Sequence, residues 1–222
     1  LEGKPRADVV RAVVAKVHAL VRYTGIEFGE AAIVPRTPKE TLERRFGDCK
    51  DKSALTVALL SLAGIEAHMA LLRSGPGEDI PEGLPSLGGF DHAIVYVPGQ
   101  PAIWVDPTEE FVRPGDIPLR DQGRLALVVD PRPGAARTAL VRTPSSASTD
   151  NVYRADRTIQ LSANDLPTVR HLTRAFGSVE QDYRQGNVDV PEDKRRTHLE
   201  TFAAAIYGQG KLVSWSETSP RD

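Results

Sequence analysis

Residues 54–63, Ala-Leu-Thr-Val-Ala-Leu-Leu-Ser-Leu-Ala, are apolar on nearly every side. That pattern describes a helix enclosed in a core, whereas a surface helix would carry an apolar stripe on one side only. Gly64 supplies a natural stop. Immediately before the run stands Phe46-Gly47-Asp48-Cys49-Lys50-Asp51-Lys52-Ser53, which holds the only cysteine of the chain. Gly47 and Asp48 interrupt the preceding helical pattern, so Cys49 belongs to the first turn of the buried helix. Free N–H groups and the positive end of the helix dipole favour a thiolate there. A lone cysteine beside an apolar helix is usually an inert small hydrophobe. The Gly, Asp, Lys and Ser flanking Cys49 argue instead for a polar setting that opens on a cleft.

At 222 residues, the chain exceeds one typical domain and falls short of two. With 28 basic against 30 acidic residues, a net charge of −2, it offers no overall attraction to nucleic acid or to an anionic membrane, and a protein, peptide or small-molecule substrate fits better. One cysteine excludes an internal disulfide and a cysteine-rich zinc site, and leaves the compartment open. No apolar run is long enough to span a bilayer. Because the chain starts at Leu1 rather than Met, it reads as an internal stretch of a longer protein whose leader or anchor would lie outside it. Repeats, a phosphate loop and metal-ligand spacing are not found, so no cofactor or metal is expected.

Residues 7–23 carry valines at 9, 10, 13, 14, 17 and 21 and Leu20, an amphipathic helical stripe. His18 flanks that stripe and is given no role. Thr37-Pro38-Lys39-Glu40 has the residues of a capping box and opens a short helix to about Phe46. Residues 66–73 read as a strand. Residues 74–89, rich in Gly and Pro, read as a flexible loop beside the cleft. Residues 90–97 and 102–106 form a β-hairpin around Pro98-Gly99-Gln100-Pro101, which brings His92 and Asp106 close across its open end. A histidine on a strand is by itself ordinary. The conjunction matters, because thiol catalysis needs a base within reach of the sulfur and an acceptor that orients the base.

Four segments, Gly47-Asp48-Cys49-Lys50-Asp51, Gly64-Ile65-Glu66-Ala67, Asp91-His92-Ala93-Ile94-Val95 and Trp104-Val105-Asp106-Pro107-Thr108, resemble in order and spacing the bacterial transglutaminase-like domain of the papain-like thiol superfamily. The likeness covers roughly residues 7–117. It implies an α+β fold with the nucleophile helix packed on an antiparallel sheet, and a triad of Cys49 as nucleophile, His92 as base and acid, and Asp106 as orienting acceptor. The implied function is cysteine-dependent acyl transfer on protein or peptide amides, as peptidase, amidase or transglutaminase-like enzyme. Eukaryotic cross-linking enzymes have Gly-Gln-Cys-Trp where this chain has Gly47-Asp48-Cys49-Lys50, so the acceptor, water or amine, stays open. The alternative is a non-catalytic binding or scaffold module of a multidomain bacterial envelope protein. The resemblance also implies a periplasmic or envelope setting among neighbouring domains of a longer chain.

Residues 1–117 are thus expected to form the core. Residues 118–222 are expected to form a β-rich extension with helices, a following domain cut short. Strands are expected at 124–130, 138–143, 151–161, 169–176 and 211–217, and helices at 179–184 and 191–207. Lys194-Arg195-Arg196 is read as a solvated face.

Overall fold

The computed structural model describes residues 3–25, 29–81, 86–112, 115–130, 139–208 and 210–221. The chain is mixed α+β and divides into two compact units, Leu1–Ser146 and Ala147–Asp222. The first unit contains α1 (Arg6–Leu20), β1 (Arg22–Tyr23), α2 (Pro38–Arg44), β2 (Phe46–Gly47), α3 (Cys49–Leu62), β3 (His68–Leu72), β4 (His92–Val97), β5 (Ile103–Val105), β6 (Leu125–Val129) and β7 (Ala139–Arg142). The last five form one antiparallel sheet in the order β5-β4-β3-β6-β7.

The boundary expected at residue 117 falls inside this sheet. β6 pairs with β3 along Met69 to Leu72, and β7 adds to β6, so the strands assigned to the extension complete the first unit. Val10, Val13 and Val14 of α1 and Leu60 of α3 pack with Val95, Val97, Ile103 and Val105 of the sheet. A second apolar cluster joins Ala70, Leu72, Ile94, Trp104, Ile117, Ala126 and Val128.

One helix start follows the local chemistry closely. Thr37 caps α2 with the full capping box to Glu40. α1 ends three residues before the expected end at Tyr23, because Val21 turns extended and Arg22–Tyr23 pairs in parallel with Phe46–Gly47. α3 departs from its expectation in an instructive way. Its polar first half is deeply buried, with Asp51, Lys52, Ser53 and Thr56 enclosed, while in the apolar second half Leu60 is enclosed and Leu62 is 85% exposed. Burial of such groups requires partners. Asp51 accepts the Arg36 N–H, Lys52 Nζ donates to Val21 O, Ser53 Oγ to Ala93 O and Thr56 Oγ1 to Lys52 O. Gly47 lies so close to Asp51 that a Cβ would stand 2.6 Å from the Asp51 Cβ, so the approach needs glycine.

The loop 74–89 carries more anchors than its composition suggests, and its residues 82–85 lie outside the described ones. Ile80 is buried, Asp79 accepts the Leu125 N–H, and Gly75 N–H donates to Arg120 O.

The second unit contains the antiparallel ribbon β8 (Val152–Gln160) and β9 (Thr168–Phe176), then α4 (Ser178–Asn187) and α5 (Glu192–Ile206). Residues 211–217, expected as a strand, pair with no strand among the described residues. Side chains fix this segment instead: Glu217 pairs with Arg195 at 2.7 Å and accepts from Tyr183 Oη. Arg195 also lies over the Trp215 ring, so it does not belong to a solvated face.

Ser53 ties α3 to the strand that begins with His92. Ser53→Ala should destabilise the first unit by about 1 to 3 kcal/mol, the cost of losing a buried hydrogen bond. Urea unfolding should show a lower midpoint than for Ser61→Ala, on the exposed side of the same helix; equal midpoints would contradict the assigned tie.

Candidate active site

Asp48 is the N-cap of α3, and its side chain accepts the N–H groups of Lys50 and Asp51. This cap fixes Cys49 as the first helical residue and leaves the Cys49 N–H outside the cap's own bonds. The Cys49 side chain is close enough to the imidazole of His92 to raise its titration. On the other side of that ring, Nε2 lies 3.0 Å from Asp106 Oδ2 and, because a carboxylate only accepts, Nε2 donates. The three residues singled out in the sequence therefore meet around one imidazole. In the hairpin register Val95 faces Val105, so Asp106 continues opposite Ile94, two residues along from His92. The contact is diagonal rather than directly cross-strand.

Asp106 is 2% exposed, and four donors surround it. Oδ1 accepts the N–H and hydroxyl of Thr108, and Oδ2 accepts His92 and Arg120. Burial alone would favour the neutral acid, but the bond and charge of His92 and the two Thr108 donors outweigh it and lower the carboxyl to about 2. For His92, burial works against the charged ring. The bond to Asp106 and the nearby Cys49 side chain, together with the charges of Asp106 and Asp121, overcome this and raise it to about 10. A second carboxylate also faces the ring and adds the smallest of these raising influences.

That second carboxylate, Asp121, is a site residue the sequence reading missed. It lies in the short 3-10 turn Leu119–Asp121, fully buried, with Oδ2 at 3.9 Å from His92 Nε2. No spacing signal points to it, because it reaches the site only through the pairing of β6 with β3. Arg120, beside it, bonds both Asp106 and Glu109. His18 also belongs to the surroundings. Burial, then the charge of Lys52, lowers it to about 4, and it meets the Pro107 backbone. Lys52 is itself lowered to about 8 by burial, against the opposing charges of Asp106, Glu110 and Glu109.

His92, Asp106 and Asp121 each offer one ligand atom, all within 4.8 Å of one another, a spacing a cation could bridge. Arg120 already supplies positive charge at 3.3 Å from Asp106 Oδ2, and His92 is charged, so the donor set fits a bound cation poorly. A cavity of about 490 Å³ opens on this cluster, lined by His92, Arg120, Glu109, Thr108, Ser74 and Tyr23. Cys49, 4% exposed, is not among the lining residues.

No family model matches the sequence, and no curated protein does. A solved structure from Parabacteroides distasonis ATCC 8503, provisionally assigned as a protease, aligns over 82% of this chain and 49% of its own at 12% identity and a TM-score of 0.38. The chain spans about half the length of that structure, and at this score the likeness carries no argument.

The His92 and Asp106 shifts set a pH window. A raised histidine stabilises fully below its ordinary 6.5 and loses that contribution as pH climbs through about 10. The lowered Asp106 stabilises fully above 3.8 and loses its contribution as pH falls through about 2. The stability difference between the native protein and His92→Ala should therefore be largest, about 3 kcal/mol for a broken buried pair, just below pH 6.5, where the ring is charged and both carboxylates that face it are ionised. It should shrink steadily towards pH 10. A difference constant from pH 5 to pH 10 in urea titrations would contradict the pairing.

Proposed function

We propose that Cys49, His92 and Asp106 form the triad of a cysteine-dependent acyl-transfer enzyme acting on protein or peptide amides, on a papain-like, transglutaminase-like core. The observation that supports this reading is the His92–Asp106 hydrogen bond with Cys49 close to the same imidazole, at the tip of a capped helix and next to a cavity. The Cys49 sulfur attacks the amide carbonyl, forming the C–S bond, while Nδ1 of His92, the ring nitrogen the carboxylates do not use, holds the proton. That proton passes to the leaving amine as the C–N bond breaks, giving a thioester and a neutral imidazole. Water or a second amine then attacks the thioester and yields a proton to His92, and Cys49 departs. The N–H of Cys49, not engaged by the Asp48 cap, is placed to donate to the oxyanion. Asp106 keeps the ring oriented and its charge balanced, with Thr108 and Arg120 holding the carboxylate still. In the longer protein, neighbouring domains would present the substrate.

One observation favours a second reading. Cys49 is buried and does not line the cavity, an arrangement suited to a module that binds a peptide without cleaving or transferring it.

Acid-quenched intact mass after incubation with glutamine-containing peptides, with and without a primary amine, separates the two. The acyl-transfer reading expects a peptide adduct on the native protein and none on Cys49→Ala. Hydrolysed peptide would identify water as acceptor, and amine-linked peptide an amine. A single iodoacetamide addition at Cys49 in the folded state should accompany this. A Cys49 that reacts only after unfolding would overturn the enzyme and leave the binding module.

A further inference from the structure

Asp121 is held from several sides. Its N–H donates to Pro118 O at 2.9 Å, its carbonyl accepts from Thr143 Oγ1 at 2.6 Å, and its Oδ1 accepts from Ser74 Oγ at 2.5 Å. Its Oδ2 is buried with no hydrogen-bond partner among the described residues, and is 3.9 Å from His92 Nε2. An orphaned carboxylate oxygen in a closed site is costly, and a residue placed there only to anchor Ser74 would not need it. The charges facing it are those of His92 from β4, Asp106 after β5 and its neighbour Arg120; Arg120 is shared with Glu109, while Ser74 brings a hydroxyl. Asp106 already accepts four bonds, so it has no spare capacity with which to strengthen its hold on the ring.

We propose that Asp121 is a positioning residue acting through His92: its free oxygen sets a second negative charge on the Nε2 side, so that two carboxylates, not one, hold the imidazolium against Cys49. The consequence is a switch. With Asp121 ionised, Asp106 and Asp121 both face the His92 ring, while Arg120 is shared between Asp106 and Glu109. With Asp121 protonated, Asp106 alone remains against the ring, and the grip on it loosens. Burial, with the charge of Asp106, raises Asp121 to about 6, against the opposing influence of His92, Ser74 and Arg120. The switch therefore operates in mildly acidic conditions, with the tight state above it and the loosened state below. The inference rests on the triad reading for its catalytic meaning, but the coupling of Asp121 to His92 is a physical property of the fold and is tested without any substrate.

The test is a pH titration of the whole chain, labelled with ¹³C-histidine, following the His92 ring resonances identified by their absence in His92→Ala. In the native protein, these should shift in a step near pH 6 as Asp121 ionises, before the ring's own deprotonation near pH 10. Asp121→Asn, which keeps the Ser74 bond and removes the charge, should abolish that step and lower the ring's own transition by about 1 to 3 pH units. Ser74→Ala removes a bond that favours the ionised carboxylate, so the step should move above 6. A purely structural Asp121 would alter melting and leave the ring's titration where it was. Absence of the step in the native protein, or an unchanged ring transition in Asp121→Asn, overturns the proposal. Should Asp121→Asn fail to fold, the native titration and Ser74→Ala decide alone. A protein that forms no acyl adduct yet shows the step and its displacement loses the enzymatic reading and keeps the coupling.

Discussion

A carboxylate shut away from water at the end of β5 is the constraint around which the first unit is arranged. Asp106 could not stay charged in that position without donors, and it draws them from three parts of the chain: Thr108 just beyond it, His92 at the start of β4, and Arg120 some fourteen residues on. Each donor fixes something else. Thr108 turns the chain after Pro107, His92 is pinned with one nitrogen inward and the other left to Cys49, and Arg120 brings Asp121 with it. Charge is thereby nearly balanced across a buried cluster, which is the condition for enclosing so many ionisable groups together.

The helix that presents Cys49 obeys the same rule. Its first two turns are enclosed because the buried Asp51, Lys52 and Ser53 side chains each have a partner in another element: Asp51 in the loop before α2, Lys52 at the end of α1, Ser53 in β4. These bonds do what apolar packing alone would not, since they fix the helix in rotation and along its axis as well as in depth. A cysteine at the tip of such a helix is placed by the whole unit. The imidazole it meets is placed independently by the hairpin, and the meeting of the two is therefore a property of the assembled sheet and helix.

Local chemistry in the sequence was decisive wherever a short stretch settles its own conformation. The capping box at Thr37, the stop at Gly64, the hairpin around Gly99 and the valine stripe of α1 each depend on neighbours within a few residues, and all can be read directly. The expected association of Cys49 with His92 and Asp106 came from motif order, and the hairpin brings His92 and Asp106 within reach because its turn is short. Reading fails where a partner is distant. The expected strand at 211–217 has suitable residues, but it pairs with no strand among those described; its glutamate is taken by Arg195 and Tyr183 instead.

What the sequence by itself determined was most of the elements and the position of Cys49 at the start of one helix, because periodicity, caps and turns act over a few residues. Only the tertiary structure decided that the core runs on through β7, that the polar first half of α3 is enclosed, and that Asp121 faces His92. The physical reason is the same in each case. Strand pairing between β3 and β6, satisfaction of buried donors and acceptors, and the summed field on an imidazole all depend on groups more than fifty, or tens of, residues apart, and their proximity exists only once the sheet has closed around them.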